Sequence, residues 1–367
     1  MRGDGDLLGG VLRRVSRSFY LSLTVLPASL REPIGLAYLL ARAADTVADT
    51  GLLPRADRLR HLEALRKAFA GAGDGVAEVA RACLPHQALD AERRLLERVD
   101  EALARMRALP SADRADVQDV LATLTRGMVF DLTRFPGDDA AALAALPAWP
   151  DLDEYTYLVA GCVGPFWTAL HVRHRPRLAA WDMSAMSAQG VRFGQALQMT
   201  NVLRDVPRDL RGGRCYIPGD ELAALHLRPA DLLDRAVWPR ARPLFRGLLE
   251  RTLAHYDVAW RYTLAIPRAE FRMRLACTWA LLIGLATLAE LAAHPDPLSA
   301  GTAIKIPRAA VRGIVARSAL AVGSNRALAR LAARGRTAVE AGARLDIPNA
   351  RERPGGAVAL LEFLHTL

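Results

Sequence analysis

Apolar residues recur at helical spacing along nearly all of this 367-residue chain, and runs that alternate apolar and polar residues are almost absent. Alanine, leucine and arginine dominate the helical stretches, and prolines and glycines separate one stretch from the next. Such a period is typical of amphipathic helices, so the pattern predicts an all-α protein. No linker rich in proline, serine and glycine divides the chain, and we therefore expect a single domain over residues 1–367.

The helix-breaking residues set the predicted boundaries of the helices. We expect helices at about 34–49, 55–72, 75–83, 86–107, 112–134, 151–174, 179–206, 268–294 and 308–343, with two more within 220–265. Pro33 is expected to precede the first helix, and Pro207 to kink the helix that carries it. Gly161 and Gly164 permit either a close helix approach or a local break.

The most apolar stretch of the chain, residues 275–293, contains Glu290. No uninterrupted apolar run reaches the roughly 18 residues typical of a transmembrane helix. A helix that is hydrophobic on all sides is buried, and this one is expected to be a core helix that also provides an apolar cavity wall.

The chain is basic, with 49 Lys+Arg against 39 Asp+Glu and a formal charge of +10. The arginines are scattered along helices, without zinc-finger spacing or an aromatic-basic RNA-binding signature, which argues against nucleic acid. Phosphorylated small molecules, or peripheral contact with an anionic membrane surface, fit the charge better. The alternative is that arginine merely covers solvated helix faces. Oligomeric state cannot be read from the sequence.

The four cysteines, Cys83, Cys162, Cys215 and Cys277, lie far apart and have no CxxC spacing. The start of the chain shows no signal-peptide pattern, and no segment has the pattern of a transmembrane anchor. We expect buried free thiols in a cytoplasmic protein that is able to sit on the inner face of the membrane.

Two aspartate pairs carry the strongest chemical signal in the sequence: Asp45 and Asp49 near the end of one predicted helix, and Asp205 and Asp209 near the end of another. A spacing of four places both carboxylates of a pair on one helix face, where like charges repel unless a cation lies between them. Carboxylates without histidine or cysteine select Mg²⁺, with Mn²⁺ as an alternative. Neither a P-loop nor a GxGxxG motif is present.

Arginines accompany both pairs. Arg42 lies one turn before Asp45, and the second pair continues a stripe that begins with Asn201 and Arg204. Each stripe therefore combines oxygens for a metal ion with a guanidinium that can bind phosphate. One such stripe is more often a salt-bridged surface, but two stripes that each end an apolar helix favour a functional site.

Four segments, SRSFYLSLTVLP, YLLARAADTVADT, YTYLVAGCVG and QALQMTNVLRDVPRDLRGGRCYIP, resemble in order and spacing the motifs of the squalene and phytoene synthases. The resemblance covers about 16–310, which would form the core, with 311–367 as a C-terminal helical tail. It implies an isoprenoid-synthase fold with a central active-site cavity, across which the two aspartate pairs face each other and hold magnesium-bound diphosphates. Ala48 departs from the family, whose squalene synthases usually have an acidic residue there.

The resemblance also assigns roles to single residues. Tyr155 matches the catalytic tyrosine that assists proton removal, and the resemblance favours this role although a tyrosine in this sequence, taken alone, is more often a core residue. Ser16, Arg17 and Tyr38 match substrate contacts, as do Arg42, Asn201 and Arg204. The three arginines would lie beside the magnesium-bound diphosphates, and the metal ligands would be Asp45, Asp49, Asp205 and Asp209.

The segment LSAGTAIKIPRAAV resembles the part of squalene synthases that contacts the phosphates of NADPH, with Lys305 aligned and Arg308 one position late because of Pro307. The resemblance therefore favours a squalene synthase that condenses two molecules of farnesyl diphosphate to presqualene diphosphate and reduces it with NADPH. Trp279 departs from the family pattern. The alternatives are a phytoene or dehydrosqualene synthase and an enzyme that stops at presqualene diphosphate. A non-catalytic helical scaffold should have lost aspartates from one or both pairs, and both pairs are intact.

Overall fold

The computed structural model describes residues 6–16, 19–298 and 304–344. The described chain is almost entirely helical, which confirms the all-α prediction. Its helices are α1 (Leu12–Ser16), α2 (Phe19–Val25), α3 (Ala28–Ala48), α4 (Arg55–Phe69), α5 (Val76–Cys83), α6 (Asp90–Leu96), α7 (Val99–Arg107), α8 (Ser111–Arg134), α9 (Trp149–Thr156), α10 (Val163–His174), α11 (Met183–Arg211), α12 (Gly219–Ala224), α13 (Trp238–Ala265), α14 (Phe271–Ala293), α15 (Arg308–Ala321) and α16 (Asn325–Arg344). Short 3₁₀ and π turns connect several of them.

The chain forms two compact units. Unit 1 comprises Met1–Arg134 and Tyr155–Val191, and unit 2 comprises Phe135–Glu154 and Arg192–Leu367. The expectation of a single domain with a central cavity stays a prediction. All four cysteines are buried free thiols, as expected from their spacing.

Helix α3 is the central helix of unit 1 and packs against α4, α7 and α8. It begins at Ala28, so the prediction that Pro33 precedes the helix is wrong. A proline inside a helix costs about 3 kcal/mol. Leu30 and Ile34, which share a face on either side of Pro33, are both buried. Each gains about 1.5–3 kcal/mol on burial, enough to offset the proline.

The predicted helix 151–174 is instead two helices, α9 and α10, joined by a π turn at Tyr157–Gly161. Gly164 in α10 lies directly against the backbone of Gly190 in α11. A Cβ atom on Gly164 would come within 2.0 Å of the Gly190 carbonyl carbon. A local break and a close helix approach were both considered for Gly161 and Gly164. The structure has both, with the break at the π turn that ends at Gly161 and the close approach at Gly164.

We expect Gly164→Ala to destabilise the protein by at least about 3 kcal/mol, because the methyl group meets rigid backbone rather than a movable side chain. Gly247→Ala in α13 is the matched control, since nothing lies within 4 Å of the added Cβ. Helix propensity alone should make that control neutral or more stable by up to about 1 kcal/mol. Thermal or urea unfolding of both variants measures the difference, and equal stabilities would refute the close packing.

Helix α14 is the central helix of unit 2, where α13, α15 and α16 pack around it. It is long and apolar enough to cross a membrane, but 78% of its most apolar 18-residue stretch is buried inside the protein, as expected for a core helix. The predicted tail helix 308–343 is two helices, because the chain turns at Val322–Ser324. Helix α16 approaches α14 closely at Gly335 and Gly342, where a Cβ would touch Leu285 and Ala293.

The buried side chain of Arg274 forms hydrogen bonds with the ends of three helices in unit 2. The side chain of Arg274 is fully buried and donates hydrogen bonds to the carbonyls of Ile266 (2.5 Å) and Val322 (3.0 Å) and to Asn325 Oδ1 (2.7 Å). The two carbonyls lie at the ends of α13 and α15, where a helix leaves carbonyls without intrahelical partners, and the third acceptor is the side chain of the first residue of α16.

Helix α11 continues through Pro207 to Arg211, five residues beyond its predicted end. The chain then turns at Gly213, which has a φ of +80°. After this turn, the short strand Arg214–Cys215 pairs in parallel with the short strand Ala144–Ala145. A Cβ on Gly213 would also lie 2.7 Å from the Asp139 carbonyl, so glycine is required for both backbone angle and space.

Candidate active site

In unit 1, the first aspartate pair lies at the C-terminal end of α3. Arg42 bridges two carboxylates, with 2.5 Å from Nη1 to Asp45 Oδ2 and 2.5 Å from Nη2 to Glu92 Oε1. Asp49 caps the helix, its amide donates to the Asp45 carbonyl, and its side chain is exposed. The structure therefore brings Arg42, Asp45 and Asp49 together as predicted and adds Glu92 to them.

The environment of Asp45 disfavours its charge. Desolvation, followed by the neighbouring Asp49 carboxylate, raises the pKa of Asp45 to about 7, although Arg42 opposes the shift. The side chain of Asp45 is still 40% exposed, so a cation can reach it from solvent. Because desolvation and the Asp49 carboxylate disfavour the charge of Asp45, a bound cation would stabilise it, and the first pair thus fits a metal site.

Two of the predicted substrate contacts lie near each other in unit 1. The Tyr38 hydroxyl donates to the carbonyl of Val15 at 3.3 Å, and the neighbouring Ser16 hydroxyl donates back to the Leu12 carbonyl at 2.5 Å. Tyr38 precedes Arg42 by one turn, which places these hydroxyls on the same side of α3 as the acidic stripe. Arg17 lies outside the described residues.

Tyr155 lies in the last turn of α9 and is buried, with only 8% of its surface exposed. Its ring packs against Phe130 of α8 at a centroid distance of 6.2 Å. Phe130 in turn lies beneath the Arg134 guanidinium at 5.1 Å. Tyr155 is thus a buried tyrosine next to the π turn, an arrangement compatible both with a core residue and with a catalytic role.

In unit 2, the second pair lies in the last turns of α11. Asp205 is buried and accepts two hydrogen bonds from Arg204, from Nε at 2.9 Å and from Nη2 at 2.7 Å. Arg208 reaches Asp205 at 3.4 Å and Asp209 at 3.3 Å. Asn201 donates to Gln198 instead, at 3.3 Å. The predicted stripe is present, but its arginines are folded onto the carboxylates.

Asp209 resembles Asp45 electrostatically. Desolvation raises the pKa of Asp209 to about 7, with Asp205 adding to the shift and Arg208 and Arg214 opposing it. Each stripe therefore contains one carboxylate whose ionisation is unfavourable in the metal-free protein. Both stripes have the donor set that suits Mg²⁺, namely a few carboxylates completed by phosphate oxygens of a ligand.

No group of three or more His, Cys, Asp or Glu side chains arranged to hold a metal ion is found among residues 6–16, 19–298 and 304–344. A complete cage supplied by the protein alone is thus absent from the described part of the chain. A site made of two carboxylates and a phosphorylated ligand needs no such group.

Three charged residues beside the aspartate pairs were not predicted from the sequence: Glu92, Arg208 and Arg214. Glu92 is fifty positions from Arg42 along the chain, and nothing in its local sequence distinguishes it from other surface glutamates. Arg208 lies within the stripe, three residues after Asp205, and its spacing was sufficient to find it. Arg214 is brought close only by the turn at Gly213.

Lys305 and Arg308, the predicted NADPH contacts, flank the start of α15 in unit 2. Both side chains are exposed, and neither forms an ion pair with any residue that the structure describes. Two solvent-accessible cations suit the phosphates of a dinucleotide, but they do not define a complete nucleotide site.

The electrostatics of the metal-free protein give a testable pH dependence. Because the pKa values of Asp45 and Asp209 are about 7, above the ordinary value of 3.8, the folded protein binds more protons than the unfolded chain between roughly pH 4 and 7. Stability should therefore fall as the pH rises through this window. Mg²⁺ with inorganic diphosphate should restore it, with a larger rise in Tm at pH 8 than at pH 5.

Differential scanning fluorimetry with and without Mg²⁺ and diphosphate measures this effect. The double variant Asp45→Asn/Asp209→Asn should have a flatter pH profile and should lose the response to the metal. An equal response in the variant would contradict binding at these carboxylates.

Comparison with known proteins decides the family. A family model described as Squalene/phytoene synthase matches residues 12–310. The chain belongs to the squalene/phytoene synthase family. The assignment predicted from the four motifs is confirmed, and the family is one of prenyl-transferring enzymes of isoprenoid biosynthesis that bind prenyl diphosphates.

Relatives within the squalene/phytoene synthase family have different products. The chain is 28% identical over 263 residues to a phytoene synthase of Arthrospira platensis, covering 69% of this chain and 74% of the relative. It is 25% identical over 329 residues to a squalene synthase of Mycosarcoma maydis, covering 84% of this chain and 54% of the relative. It covers only 41% of a bifunctional lycopene cyclase/phytoene synthase of Gibberella fujikuroi, with 28% identity over 260 residues.

Solved structures share the fold. The complex of TcSQS with the ligand E5700 superimposes with a TM-score of 0.74 at 22% identity, over 99% of this chain and 97% of that chain. The squalene synthase HpnC from Alicyclobacillus acidocaldarius gives a TM-score of 0.53 at 22% identity, over 77% of this chain and 96% of that one. The all-α architecture is therefore that of squalene synthase structures.

Proposed function

We propose that this protein is a squalene synthase. Two farnesyl diphosphates condense head-to-head to presqualene diphosphate, which is then reduced by NADPH to squalene. The observation that carries the diphosphate chemistry of the proposal is the pair of acidic stripes, in which arginines lie against Asp45 and Asp205 and a cation would stabilise the charged forms of Asp45 and Asp209. The reductive step rests on Lys305 and Arg308. Membership in the squalene/phytoene synthase family supports the reaction class.

The first half of the reaction requires the diphosphate groups of the substrates to be held. Asp45 and Asp49 would form one set of magnesium ligands, and Asp205 and Asp209 would form the other. Bound Mg²⁺, or Mn²⁺ in its place, would neutralise the diphosphate and make it a better leaving group. Arg42 and Arg204 would exchange some of their present carboxylate contacts for phosphate oxygens. Arg17 is proposed to bind phosphate as well.

Tyr155 is proposed to assist the removal of the proton lost as the cyclopropane ring closes. Its burial against Phe130 keeps water away from a position where a carbocation would otherwise be hydrolysed. Ser16, Tyr38 and Asn201 are proposed to position the substrate through their polar side chains. These roles follow from the family motifs and are supported by the clustering of Tyr38 with Arg42 in unit 1.

The second half of the reaction needs a hydride, which NADPH would supply. Lys305 and Arg308 are proposed to bind its phosphates, and their exposure and lack of ion pairs within the described chain suit that role. The extent of the matches also supports a squalene synthase, because the Mycosarcoma maydis enzyme covers 84% of this chain and the Arthrospira platensis phytoene synthase covers 69%.

A phytoene or dehydrosqualene synthase is the second candidate, since the identity to the phytoene synthase of Arthrospira platensis, 28%, exceeds the 25% to the squalene synthase. Such an enzyme releases a proton from the rearranged cation and needs no reductant. An enzyme that stops at presqualene diphosphate would also use both aspartate pairs.

The product distinguishes these candidates. Purified protein is incubated with Mg²⁺ and either farnesyl or geranylgeranyl diphosphate, with and without NADPH, and the lipids are identified by mass spectrometry. Squalene that forms only with farnesyl diphosphate and NADPH supports the proposal. Phytoene from geranylgeranyl diphosphate, or dehydrosqualene in the presence of NADPH, would refute it.

The double variant Lys305→Ala/Arg308→Ala should raise the KM for NADPH by roughly tenfold to a hundredfold, since each lost phosphate contact of a charged side chain is worth about 1.5–3 kcal/mol before solvent screening reduces it. Formation of presqualene diphosphate without NADPH should be unchanged. Arg312→Ala, an exposed arginine one turn further along α15, is the control. An unchanged KM for NADPH would show that Lys305 and Arg308 do not bind the nucleotide.

A further inference from the structure

The outer surface of the last two described helices is strongly and one-sidedly basic. Residues 308–344 contain eight arginines and one acidic residue, Glu340. Arg336 pairs with Asp257 and Glu340, and Arg344 lies 3.9 Å from Glu340. The remaining six arginines form no ion pair with any residue in the described ranges; they are Arg308, Arg312, Arg317, Arg326, Arg330 and Arg334.

Five of these arginines are exposed and lie opposite the buried faces of their helices, and the sixth, Arg317, is half-buried. In α16, Leu328, Leu331, Gly335 and Val339 are buried, whereas Arg326, Arg330 and Arg334 are exposed and follow one another at a spacing of four. In α15, Ala310, Ile314 and Ser318 are buried, and Arg308 and Arg312 are exposed. Because a spacing of four keeps side chains on one helix face, each helix presents a row of arginines to solvent. We call these rows the arginine face.

The two rows meet. Helices α15 and α16 pack against each other, and both pack on α14. Arg317 of α15 lies near Arg334 of α16: desolvation and then the charge of Arg334 lower the pKa of Arg317. The Nε atom of Arg317 is buried and has no hydrogen-bond partner within the part of the chain that the structure describes. Like charges held together without an acid between them indicate that an external anion belongs there.

The surface between the arginines is apolar. The other exposed positions of α15 are Ala309, Ala316, Ala319 and Leu320, and Leu320 is 90% exposed. On α16, Ala329 and Ala333 separate the arginines. Exposed aromatic residues for stacking on bases are absent from both described helices, and Thr337 is the one exposed neutral polar side chain on α16. This composition suits phospholipid head groups, which accept both guanidinium groups and small apolar side chains.

We propose that the arginine face docks the protein on the surface of an anionic lipid bilayer. Charge complementarity selects this occupant over the rest of the chain, because residues 345–367 contain three acidic and two basic residues and cannot neutralise the five exposed arginines of the arginine face. A bilayer containing anionic lipid presents a continuous layer of phosphates, and each basic residue at its surface contributes about fivefold to the affinity.

Vesicle co-sedimentation of the full-length protein tests the proposal without requiring turnover, so its outcome is separate from that of the proposed reaction. Two vesicle types are used, phosphatidylcholine alone and phosphatidylcholine mixed with phosphatidylglycerol. We expect binding to the anionic vesicles alone, and we expect that binding to weaken as salt is added. The triple variant Arg326→Gln/Arg330→Gln/Arg334→Gln should bind the anionic vesicles about a hundredfold more weakly.

The matched control is Lys67→Gln/Arg81→Gln/Arg107→Gln, which removes the same charge from exposed positions of unit 1. Its affinity should stay within about threefold of the unaltered protein, and circular dichroism should show that both triple variants are folded. Equal weakening in the two triple variants would show that net charge alone causes binding and would overturn the proposal. Equal binding to neutral vesicles, or tighter binding to a mixed-sequence RNA oligonucleotide that the first triple variant loses, would also overturn it.

Discussion

Replacing Asp45 by Asn is expected to lower the rate of farnesyl diphosphate turnover by about a thousandfold or more. The amide is a poorer magnesium ligand and carries no charge to hold the metal against the diphosphate. The same change should raise the Tm of the metal-free protein at pH 8, because Asp45 is charged there although its surroundings raise its pKa to about 7. Loss of activity together with a gain of stability would show that the charge of Asp45 serves the reaction and not the stability of the fold.

Asp57→Asn is the control for this prediction. Asp57 belongs to an exposed ion pair with Arg60 in α4, at 2.7 Å, and such pairs contribute little to stability. Its removal should leave both turnover and Tm nearly unchanged. Steady-state assays at saturating Mg²⁺ and thermal unfolding with a chelator provide the two measurements. If the Asp45→Asn protein retains a tenth of the turnover, the first stripe is not a metal site.

Tyr155→Phe is expected to slow the formation of presqualene diphosphate by about a hundredfold to a thousandfold, the usual contribution of a positioned acid or base. The ring and its contact with Phe130 at 6.2 Å are kept, so stability should change by no more than about 1 kcal/mol. Removal of the hydroxyl should therefore affect the chemical step far more than the fold.

Tyr157→Phe is a close control, because Tyr157 is only two residues away and its side chain is 41% exposed. Single-turnover experiments with radiolabelled farnesyl diphosphate measure the step itself. If both variants retain full rates, or if Tyr155→Phe simply unfolds the protein, Tyr155 is a core residue and another group removes the proton.

Local patterns predicted the elements that form the site. The helices that carry the aspartate pairs were placed correctly because apolar periodicity and the i, i+4 carboxylates are properties of neighbouring residues. Their ends were misplaced at prolines: α3 runs through Pro33 and α11 through Pro207. Burial decides whether a helix tolerates a proline, and burial depends on residues that are distant in sequence.

Side-chain partners were less predictable than positions. Arg204 was expected to point toward a phosphate, yet it forms two hydrogen bonds with the adjacent Asp205. Adjacent residues of a helix do not normally face each other, so spacing gives no indication of this contact. Glu92 reaches Arg42 because α6 packs against α3, and that packing is a property of the folded unit rather than of either segment.

The buried guanidinium of Arg274 limits how far the chain can be shortened. A truncation that ends before α15 would delete the Val322 carbonyl and Asn325, two of the three acceptors of a charge that is fully buried. It would also delete Ser318, the partner of Trp279 Nε1 at 2.8 Å. A chain cut at residue 310, where the family match ends, would thus carry an uncompensated charge in its core, and a chain that retains residues through 344 would not.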